Sequence, residues 1–551
     1  MGLLGPVPSA EPATPKLQAA ATGLPLRTLG LLFGLALVLR LGHLLAMTAS
    51  PYFDNPIIDA GTYQDLAASI AAGRGHPEAV FWHPPGYPYF LGLLWSLAGK
   101  SFLWPRLVQA LLGALAVALT AWIGSRVFGP RVGLGAGLAA AGYGMLIYFD
   151  GELLPPTLAL FLLVLATAIV IASRDRPSRW HWLAAGAVGG LAATVVATLL
   201  VVPLVIAGFA YRQAGWVLLG AALAIAPVTL RNAVRGHEFV LISVNGGVNF
   251  WIGNNPQYQK MVDLRPDVGW KRLVDEPSRA GVRGAASSSR YFVKKALAWA
   301  AHNPLAFARL QLHKLHLFVG GDEIYRNHSI YPARLDSPVL RALLWKLPGL
   351  AFPFGLLLPL SALGLWVGVR CAPLLAALVA ALTLSIVAFF ITARHRVVVV
   401  PFLLVFAGQA VAWLVGQPAR RYRLIAAAAI VAALFLVANL GQGRMDDKMN
   451  ADAEYSLGVK LGEKGQLQQA AALFESALAS KPDYAEAWLN LSVCYDALAR
   501  HQDARQAFAR AFALDRKATI RSVRDFLSDG RQEATQHLLG HLHAMRAERA
   551  E

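Results

Sequence analysis

Long apolar runs recur along most of this chain, and they set the kind of fold it can adopt. A helix needs about 20 apolar residues to cross ~30 Å of hydrocarbon. Runs of that kind lie near residues 28–48, 104–126, 131–149, 152–172, 214–230, 345–369, 372–391, 397–415 and 424–440. The segment 182–211 is too long for one straight span and predicts two short spans in a hairpin. The sequence therefore predicts an all-α polytopic membrane protein of about 11 transmembrane helices.

Composition agrees with a membrane location and argues against a nucleic-acid partner. Of the 551 residues, 56% are hydrophobic and 15% are charged, with a mean hydropathy of +0.48. A water-soluble domain of this size does not have such a composition. The net charge of +18 would suit nucleic acid, but the Arg and Lys residues cluster in short gaps between apolar runs. Cytoplasmic loops of membrane proteins show that pattern.

The basic gaps also orient the predicted spans. They place on the cytoplasmic side Arg126, Arg131, the 174–179 cluster, Arg212, Arg370 and the run 420–423. An odd number of spans then leaves the C-terminus on the outer side. No A-x-A cleavage site follows the first apolar run, which is interpreted as an uncleaved signal anchor with Lys16 and Arg27 inside. We predict a bacterial inner membrane protein, with a cytoplasmic tail at 1–24 and a membrane domain at 25–440.

After residue 440 the sequence changes to a soluble helical pattern with a period of 34 residues, the spacing of tetratricopeptide repeats. We predict a periplasmic repeat domain at 441–551, with repeats at 451–484 and 485–518 and a capping helix at 519–548. Stacked helix pairs of this type form a curved surface that binds peptides or proteins. A protein partner for this module is therefore predicted.

Two long segments, 49–103 and 231–344, would lie outside the membrane on the outer side, and such loops usually carry the function. Apolar residues at helical spacing predict helices at 63–73 and 84–99 that lie along the interface above a cavity. The stretch 257–290 has no clear periodicity and is predicted as a mobile surface loop.

Three acids lie close to the outer membrane surface in this arrangement: Asp59, Asp150 and Glu152. Ionisable residues near the membrane are candidates for function. Two carboxylates from separate loops can divide the work, one taking a proton from an acceptor hydroxyl and the other orienting the acceptor or an ion. We predict that the three acids meet in one cavity, with Asp59 as the first candidate. For Asp150 and Glu152, a solvated anchor at the end of a span is an equal alternative.

Several short motifs follow one another in a characteristic order. They are DAGTYQDLA from residue 59, HPPGYPYF from residue 83, LRN at 230–232, VNGGVNFWIGNNP at 244–256, DEIYRN at 322–327 and RHRVVVVPF at 394–402. Each is weak alone, but the ordered set resembles the GT-C class of membrane glycosyltransferases. The closest branch is the bacterial protein mannosyltransferase-like one, glycosyltransferase family 39. The resemblance covers about residues 25–440.

The resemblance implies transfer of a sugar from a polyprenyl-phosphate donor to an acceptor on a protein, lipid or glycan at the outer face, with inversion at the anomeric carbon. Asp59 would then be the general base, while the phosphate leaving group departs without an acid. The donor phosphate needs fixed positive charge, for which Arg394, Arg396 and Arg231 are the candidates. For each arginine, snorkelling to lipid head groups is the alternative.

Further side chains are candidates for the wall of a substrate pocket. They are Tyr63, His83, Tyr87, Asn249, Asn254 and Glu323. Packing or turn formation is the alternative for such residues. His313 and His316 lie near Asp322 in sequence, but histidines at helical spacing near an interface are more often structural. No metal and no cofactor is predicted, although a divalent metal stays possible. The lipid-phosphate sugar is predicted as a substrate.

Other classes of function stay open from the sequence. A transporter or flippase usually has internal repeats and broken helices at the midplane, and neither is clear here. A membrane anchor for the repeats would leave the long outer loops unexplained. A polymerase or ligase of surface polysaccharide would differ by requiring a diphosphate-linked oligosaccharide donor.

Overall fold

The structure is a computed structural model, and it describes residues 23–175, 178–262, 264, 268–326, 330–416, 421–440, 446–517, 519–520, 523 and 536–542. In these ranges nearly all regular structure is helical, so the predicted all-α class is confirmed. The predicted tail at 1–24, with Lys16, lies outside the described residues except for its last two positions. Most of the predicted cap at 519–548 also lies outside them.

The first half of the membrane domain contains the helices α1 (Leu26–Met47), α2 (Pro51–Asp54), α3 (Ile58–Ala71), α4 (Gly86–Ala98), α5 (Leu103–Phe128), α6 (Pro130–Ala141), α7 (Gly144–Gly151), α8 (Pro156–Ala172), α9 (Arg179–Val195), α10 (Val201–Phe209) and α11 (Ala214–Gly236). The next segment contains α12 (Gly246–Gly253), α13 (Tyr258–Val262), α14 (Val268–Val274), α15 (Glu276–Arg279), α16 (Ala285–His302), α17 (Pro304–Val319), α18 (Ile330–Ala333) and α19 (Pro338–Leu343).

The remaining elements complete the membrane domain and form the C-terminal module. They are β1 (Trp345–Leu347), β2 (Leu350–Phe352), α20 (Phe354–Gly368), α21 (Pro373–Ala388), α22 (Ala393–Arg396), α23 (Val400–Val415), α24 (Arg421–Asn439), α25 (Asp446–Glu463), α26 (Leu467–Ser480), α27 (Ala485–Ala497) and α28 (His501–Leu514). Short 3-10 helices lie at Ala197–Leu200, Tyr211–Gln213, Arg334–Asp336 and Val397–Val399.

Among the described residues, four helices are long and apolar enough to cross a membrane: α1, α5, Tyr211–Gly236 and Ala393–Val415. The pair α6 and α7 meets the same criterion together, but it is bent by 50°. Shorter apolar helices occupy Pro156–Ala172, Ala197–Phe209, Phe354–Gly368, Pro373–Ala388 and Leu424–Asn439. These helices lie at the predicted spans, but their lengths do not establish a number of 11, which stays a prediction.

One predicted span boundary and one predicted loop are wrong. The predicted span at 345–369 begins too early, because β1 and β2 form an antiparallel hairpin in which Trp345 pairs with Phe352. Gly349 supplies the left-handed φ of 77° that the turn requires. The predicted loop at 257–290 instead contains the helices α13, α14 and α15 and the start of α16. Apolar residues such as Leu273 pack there in a hydrophobic cluster. No helical periodicity extends over the whole stretch in the sequence, so the short helices were not predicted.

Helix α5 lies at the centre of the bundle, in contact with α1, α6, α8 and α23. Small residues allow this close packing. A Cβ atom on Gly133 of α6 would lie 2.5 Å from the carbonyl oxygen of Ala121 on α5. Membrane helices associate by close contacts of this kind, since lipid provides no hydrophobic drive between them.

The C-terminal module consists of two packed helix pairs, α25 with α26 and α27 with α28. Phe474 and Phe508 occupy equivalent positions of the two predicted repeats, and both side chains are buried. The helical repeat pattern read from the sequence is therefore present in the structure. Cys494 is buried in this module, whereas Cys371 is exposed in the membrane domain, and both are free thiols.

Candidate active site

Asp59 lies in the first turn of α3, directly after a strained residue. Ile58 has a φ of 53°, in the left-handed region, which β-branched residues rarely occupy. Such strain persists only where the surrounding structure imposes it, and it is concentrated at functional sites. The unpaired N–H groups of the first helical turn also favour a negative charge at this position.

The carboxylate of Asp59 is paired with the guanidinium of Arg394. The Nη1 atom of Arg394 donates to Oδ2 of Asp59, and the two side chains are 21% and 24% exposed. Arg394 belongs to α22, 335 positions further along the chain. Burial alone would raise the pKa of Asp59, but the charges around it, Arg394 first, lower that pKa to about 2. Asp59 is therefore ionised at neutral pH, and solvent still reaches the pair.

Aromatic rings enclose the side of the pair that faces α4. The ring centroid of Tyr63 lies 5.7 Å from that of His83 and 5.3 Å from that of Tyr87, edge to face in both cases. Tyr87 is buried, and its hydroxyl donates to Oε1 of Gln109 at 2.7 Å. Tyr63 and Tyr87 thus form a packed wall beside Asp59.

His83 is half-buried, and one of its ring nitrogens is unused. Burial lowers its pKa, so the imidazole is neutral at pH 7. Its charge state is coupled electrostatically to Asp59. Within the described part of the chain, its buried Nδ1 atom has no hydrogen-bond partner. Buried polar atoms are normally satisfied, so His83 is suited to bind a polar ligand beside the carboxylate.

Arg326 and His395 also lie near the pair, although neither is among the predicted site residues. Arg326 acts electrostatically on Asp59, and its guanidinium carbon lies 4.6 Å from the ring centroid of Phe390. Nδ1 of His395 lies 2.9 Å from the hydroxyl of Thr392. Arg326 belongs to the motif DEIYRN, and His395 belongs to RHRVVVVPF. The motifs therefore identified these segments, but they did not indicate which side chain faces Asp59.

Asp150 lies elsewhere, inside the helix bundle. Its Oδ2 accepts a hydrogen bond from Nε of Arg40 at 2.6 Å, and its Oδ1 accepts one from Thr157 at 2.7 Å. The side chains of Arg40 and Asp150 are 1% and 6% exposed. This corrects the predicted meeting of three acids in one cavity. The bend between α6 and α7 turns Asp150 toward α1 and α8, where both of its oxygens are occupied.

Glu152 lies closer to the start of α3. Its buried side chain shares a small cavity wall with Ala60, Asn55 and Arg106. Arg106 donates from Nη1 to the carbonyl of Phe53 at 3.0 Å and from Nε to the carbonyl of Gly151 at 2.7 Å. Arg106 thereby ties the segment before α3 to the end of α7. Of the two additional acids, Glu152 is the one adjacent to the segment that carries Asp59.

Arg396 is used for internal contacts, unlike Arg394. It donates to Oε2 of Glu323 at 2.7 Å, and to the carbonyl oxygens of Phe318, Gly320 and Asp322. Its side chain is almost completely buried. Burial raises the pKa of Glu323, an effect that Arg396 partly offsets. The predicted phosphate contact does not fit this placement, because the guanidinium and Glu323 together fix the segment after α17.

Arg231 also differs from its predicted role. Its guanidinium donates to the carbonyl oxygens of His76, Glu78 and Ala79, at 3.0, 2.6 and 3.2 Å. The guanidinium also lies 4.1 Å from the ring centroid of Phe81. These contacts hold the loop between α3 and α4 in place. They do not present Arg231 to Asp59.

The two asparagines predicted in the wall of the pocket, Asn249 and Asn254, have separate surroundings. Asn254 donates to the carbonyls of Phe250 and Ala388 and accepts from Gln311 and Lys314. Asn249 is half-buried within α12.

His313 and Asp322, which lie near His316 in sequence, have separate partners and do not form a shared site. The ring of His313 packs edge-on against Tyr258, and Asp322 forms an ion pair with Lys346 at 3.4 Å.

The C-terminal module contacts the segment that leads into α3. Nζ of Lys464 donates to Oδ1 of Asn55 at 2.6 Å, and Nζ of Lys460 donates to the carbonyl oxygen of Pro56. Ile57 is buried in the same apolar cluster as Leu457 and its neighbours in the first repeat. The residue that directly precedes the strained Ile58 is therefore held by the repeat module.

Two family models match the chain. Residues 82–230 match the dolichyl-phosphate-mannose-protein mannosyltransferase family, and residues 463–524 match the tetratricopeptide repeat. The chain is thus similar to a membrane mannosyltransferase family over residues 82–230 and to tetratricopeptide-repeat proteins over residues 463–524. A segment that resembles glycosyltransferase family 39 is therefore followed by a C-terminal segment that resembles the tetratricopeptide repeat. The first match contains His83 and Tyr87 of the candidate site.

Comparisons with whole proteins give weaker similarities. An uncharacterised protein of Methanocaldococcus jannaschii is 33% identical over 76 residues, which are 14% of this chain and 88% of that protein. The oligosaccharyltransferase of Archaeoglobus fulgidus, tethered to an acceptor peptide, has a TM-score of 0.42 at 12% identity, over 81% of this chain and 58% of that one. With an inhibitory peptide and dolichol-phosphate, the TM-score is 0.39 at 14% identity, over 81% and 59%. The chain thus spans less than two thirds of these oligosaccharyltransferases.

Proposed function

We propose that this protein transfers a sugar from a polyprenyl-phosphate donor to an acceptor hydroxyl or amine, and that Asp59 is the general base. The observation that carries the proposal is the solvent-accessible pair of Asp59 and Arg394. The match to the dolichyl-phosphate-mannose-protein mannosyltransferase family supports a lipid-phosphate sugar as the donor. From the distribution of basic loops, we place the reaction on the outer face of a bacterial inner membrane.

Arg394 supplies the fixed charge that such a donor requires. A sugar phosphodiester is an anion, and the planar guanidinium can donate two parallel hydrogen bonds to its oxygens. Phosphate oxygens that accept these hydrogen bonds compete with the Asp59 carboxylate. Once Arg394 is shared with the donor, less positive charge stabilises ionised Asp59. The pKa of Asp59 then rises from about 2 toward the range in which a carboxylate is a useful base.

Transfer then takes place in one displacement. The acceptor oxygen or nitrogen attacks the anomeric carbon on the face opposite the phosphate, and Asp59 takes its proton. The bond from the anomeric carbon to the phosphate oxygen breaks, and polyprenyl phosphate leaves with the electron pair. Arg394 and Arg326 stabilise the developing charge, and the configuration of the sugar inverts. Nδ1 of His83 is available to a hydroxyl of the sugar or of the acceptor.

We further propose that the repeat module brings a protein to this site. Tetratricopeptide pairs offer a curved surface for peptides. The first pair already contacts the segment that precedes Asp59. The acceptor itself is a protein, a lipid or a glycan.

The test compares variants of the purified protein in nanodiscs with a panel of radiolabelled polyprenyl-phosphate monosaccharides and a membrane extract as acceptor. Asp59→Asn keeps the shape of the side chain and removes the base. We expect the release of polyprenyl phosphate to fall by about 10²- to 10⁴-fold. Asp65→Asn is the matched control, since Asp65 is an exposed acid on the same helix, and it should retain wild-type turnover.

Undiminished turnover in Asp59→Asn would reject Asp59 as the base and turn attention to Glu152. If the wild type releases no polyprenyl phosphate from any donor, the transferase proposal is rejected in favour of a transporter or an anchor. Thermal unfolding of each variant separates a loss of chemistry from a loss of fold.

A further inference from the structure

A cluster of metal-ligating side chains lies in the repeat module, outside the proposed active site. Asp496 lies near the end of α27, His501 begins α28, and His537 and His541 lie in the helical segment 536–542. We propose that these four residues bind a divalent transition-metal ion, Zn²⁺ by its ligand preference. The ion would fasten the C-terminal helical segment to the second repeat.

The distances between the ligand atoms fit one ion. One ligand atom each of Asp496, His501 and His537 lies within 4.8 Å of the other two. Oδ1 of Asp496 lies 3.2 Å from Nδ1 of His501, and Oδ2 lies 2.7 Å from Nε2 of His541. In a tetrahedral site with bonds of ~2.1 Å, ligand atoms are separated by about 3.4 Å. Small side-chain rotations therefore bring the donors of Asp496, His501 and His537 to coordination distance around a common centre. His541 already contacts the same carboxylate.

The arrangement of the histidines is typical of a metal site. His537 and His541 are four residues apart, so both project from the same face of a helix. Zinc proteins use this spacing to supply two imidazole ligands. The ring of His501 faces that of His537 at an interplanar angle of 16°, with centroids 6.0 Å apart. Three imidazoles from two elements thus surround one carboxylate.

Hydrogen bonding alone explains only part of this cluster. Asp496 is buried, and hydrogen bonds to His501 and His541 satisfy its two oxygens. That scheme gives His537 no function in facing His501. A cation bound by the nitrogen lone pairs gives all four residues a role.

The set of donors selects the class of metal. Three imidazole nitrogens and one carboxylate oxygen suit Zn²⁺ and its transition-metal neighbours. Calcium and magnesium prefer oxygen ligands only. The site proposed here thus takes a transition metal.

The position of the cluster explains what the ion would do. Leu538, between the two histidines, is buried against the apolar cluster that contains Leu489 and Phe508. The ring of His541 lies 5.7 Å from that of Phe508. Apolar contacts dock this segment, and a metal at its polar edge would add a second attachment. An ion that binds only the folded module stabilises it by mass action.

The experiment uses the full-length protein in nanodiscs, purified through a tag without histidine and stripped with a chelator. Zn²⁺ is then added, and bound metal is measured by mass spectrometry. We expect one more Zn²⁺ per chain in the wild type than in the double variant His501→Ala/His537→Ala. Each single variant should weaken binding by about 10-fold or more. His302→Ala is the matched control, since His302 is exposed at the end of α16, and it should bind zinc as the wild type does.

Two further readouts separate a metal site from a merely structural cluster. Zn²⁺ should raise the unfolding temperature of the wild type but not of the double variant His501→Ala/His537→Ala. Co²⁺ should produce the visible absorption of a tetrahedral complex in the wild type and lose it in the double variant. Equal zinc content in the wild type and the double variant would overturn the proposal. So would an unfolding temperature that rises equally with zinc in both. The Asp59→Asn variant should retain its zinc, which keeps this test independent of the transferase proposal.

Discussion

The aspartate–arginine pairs Asp150–Arg40 and Asp59–Arg394 both join distant parts of the chain, and they differ in how far solvent reaches them. Asp150 and Arg40 are 6% and 1% exposed, and Thr157 occupies the second oxygen of Asp150. Asp59 and Arg394 are 24% and 21% exposed. The same two chemical groups thus form a buried ion pair in one place and a solvent-accessible ion pair in the other. Accessibility, rather than residue type, separates a structural pair from a candidate site.

The physical reason is the cost of an unpaired charge. A buried ion whose partner is removed loses both its protein partner and its water. An exposed ion regains water, or an anionic substrate, when its partner moves away. We therefore expect changes at the buried pair to affect folding and changes at the accessible pair to affect turnover.

The largest effect on stability should follow from Asp150→Asn. It leaves the charge of Arg40 buried without a counter-ion, which lowers the free energy of unfolding by about 3–5 kcal/mol. Thermal unfolding of the detergent-solubilised protein measures the loss. Asp59→Asn should unfold near the wild-type temperature. An Asp150→Asn variant as stable as Asp59→Asn would show that the comparison does not hold.

Arg394→Gln tests the accessible pair through pH. Without Arg394, its charge and its hydrogen bond no longer oppose the effect of burial, so the pKa of Asp59 rises from about 2. The acid limb of the kcat/KM profile should therefore move to higher pH. Turnover at neutral pH should fall by about 10- to 100-fold, the value of a hydrogen bond to a charged group.

Arg235→Gln is the control for this variant, since Arg235 is an exposed arginine of α11. If the acid limb lies at the same pH in Arg394→Gln and in the wild type, Arg394 does not control the pKa of Asp59.

Gly113→Ala probes the packing around the buried pair. A Cβ atom at this position would overlap Oδ2 of Asp150 and lie 2.7 Å from Nε of Arg40. Such overpacking costs about 1–3 kcal/mol, which a lower unfolding temperature would show. Gly135→Ala is the control, because a Cβ there meets nothing within 4 Å. Equal unfolding temperatures for both variants would contradict the close packing of this pair.

The smallest effect is expected from Lys460→Ala in the repeat module. It removes the hydrogen bond to the Pro56 carbonyl, a contact of about 1 kcal/mol, and loosens the segment before Asp59. Turnover should fall by less than 10-fold through kcat, with KM for the donor unchanged. Lys517→Ala, an exposed lysine of the same module, should have no effect. A change in KM alone would indicate a role in donor binding instead.

Part of the candidate site was predictable and part was not. The order of motifs marked Asp59, His83 and Arg394, which the structure brings together. It also suggested Arg396 and Arg231, whose donors face backbone carbonyls and Glu323. One local string carries Arg394, His395 and Arg396, so it does not reveal which side chain points to Asp59. That direction depends on how α22 packs against the start of α3.

The sequence by itself determined the apolar helices, the repeat period and the acid at the start of α3. Each depends on residues that are near neighbours along the chain, such as an apolar run or a residue at a helix start. Only the tertiary structure decided the partners of the charges. Arg394 reaches Asp59 across 335 positions, and Asp150 turns inward to Arg40. The attraction between opposite charges is strong only when they lie close together. Helix packing, rather than separation along the sequence, decides which charged side chains come close.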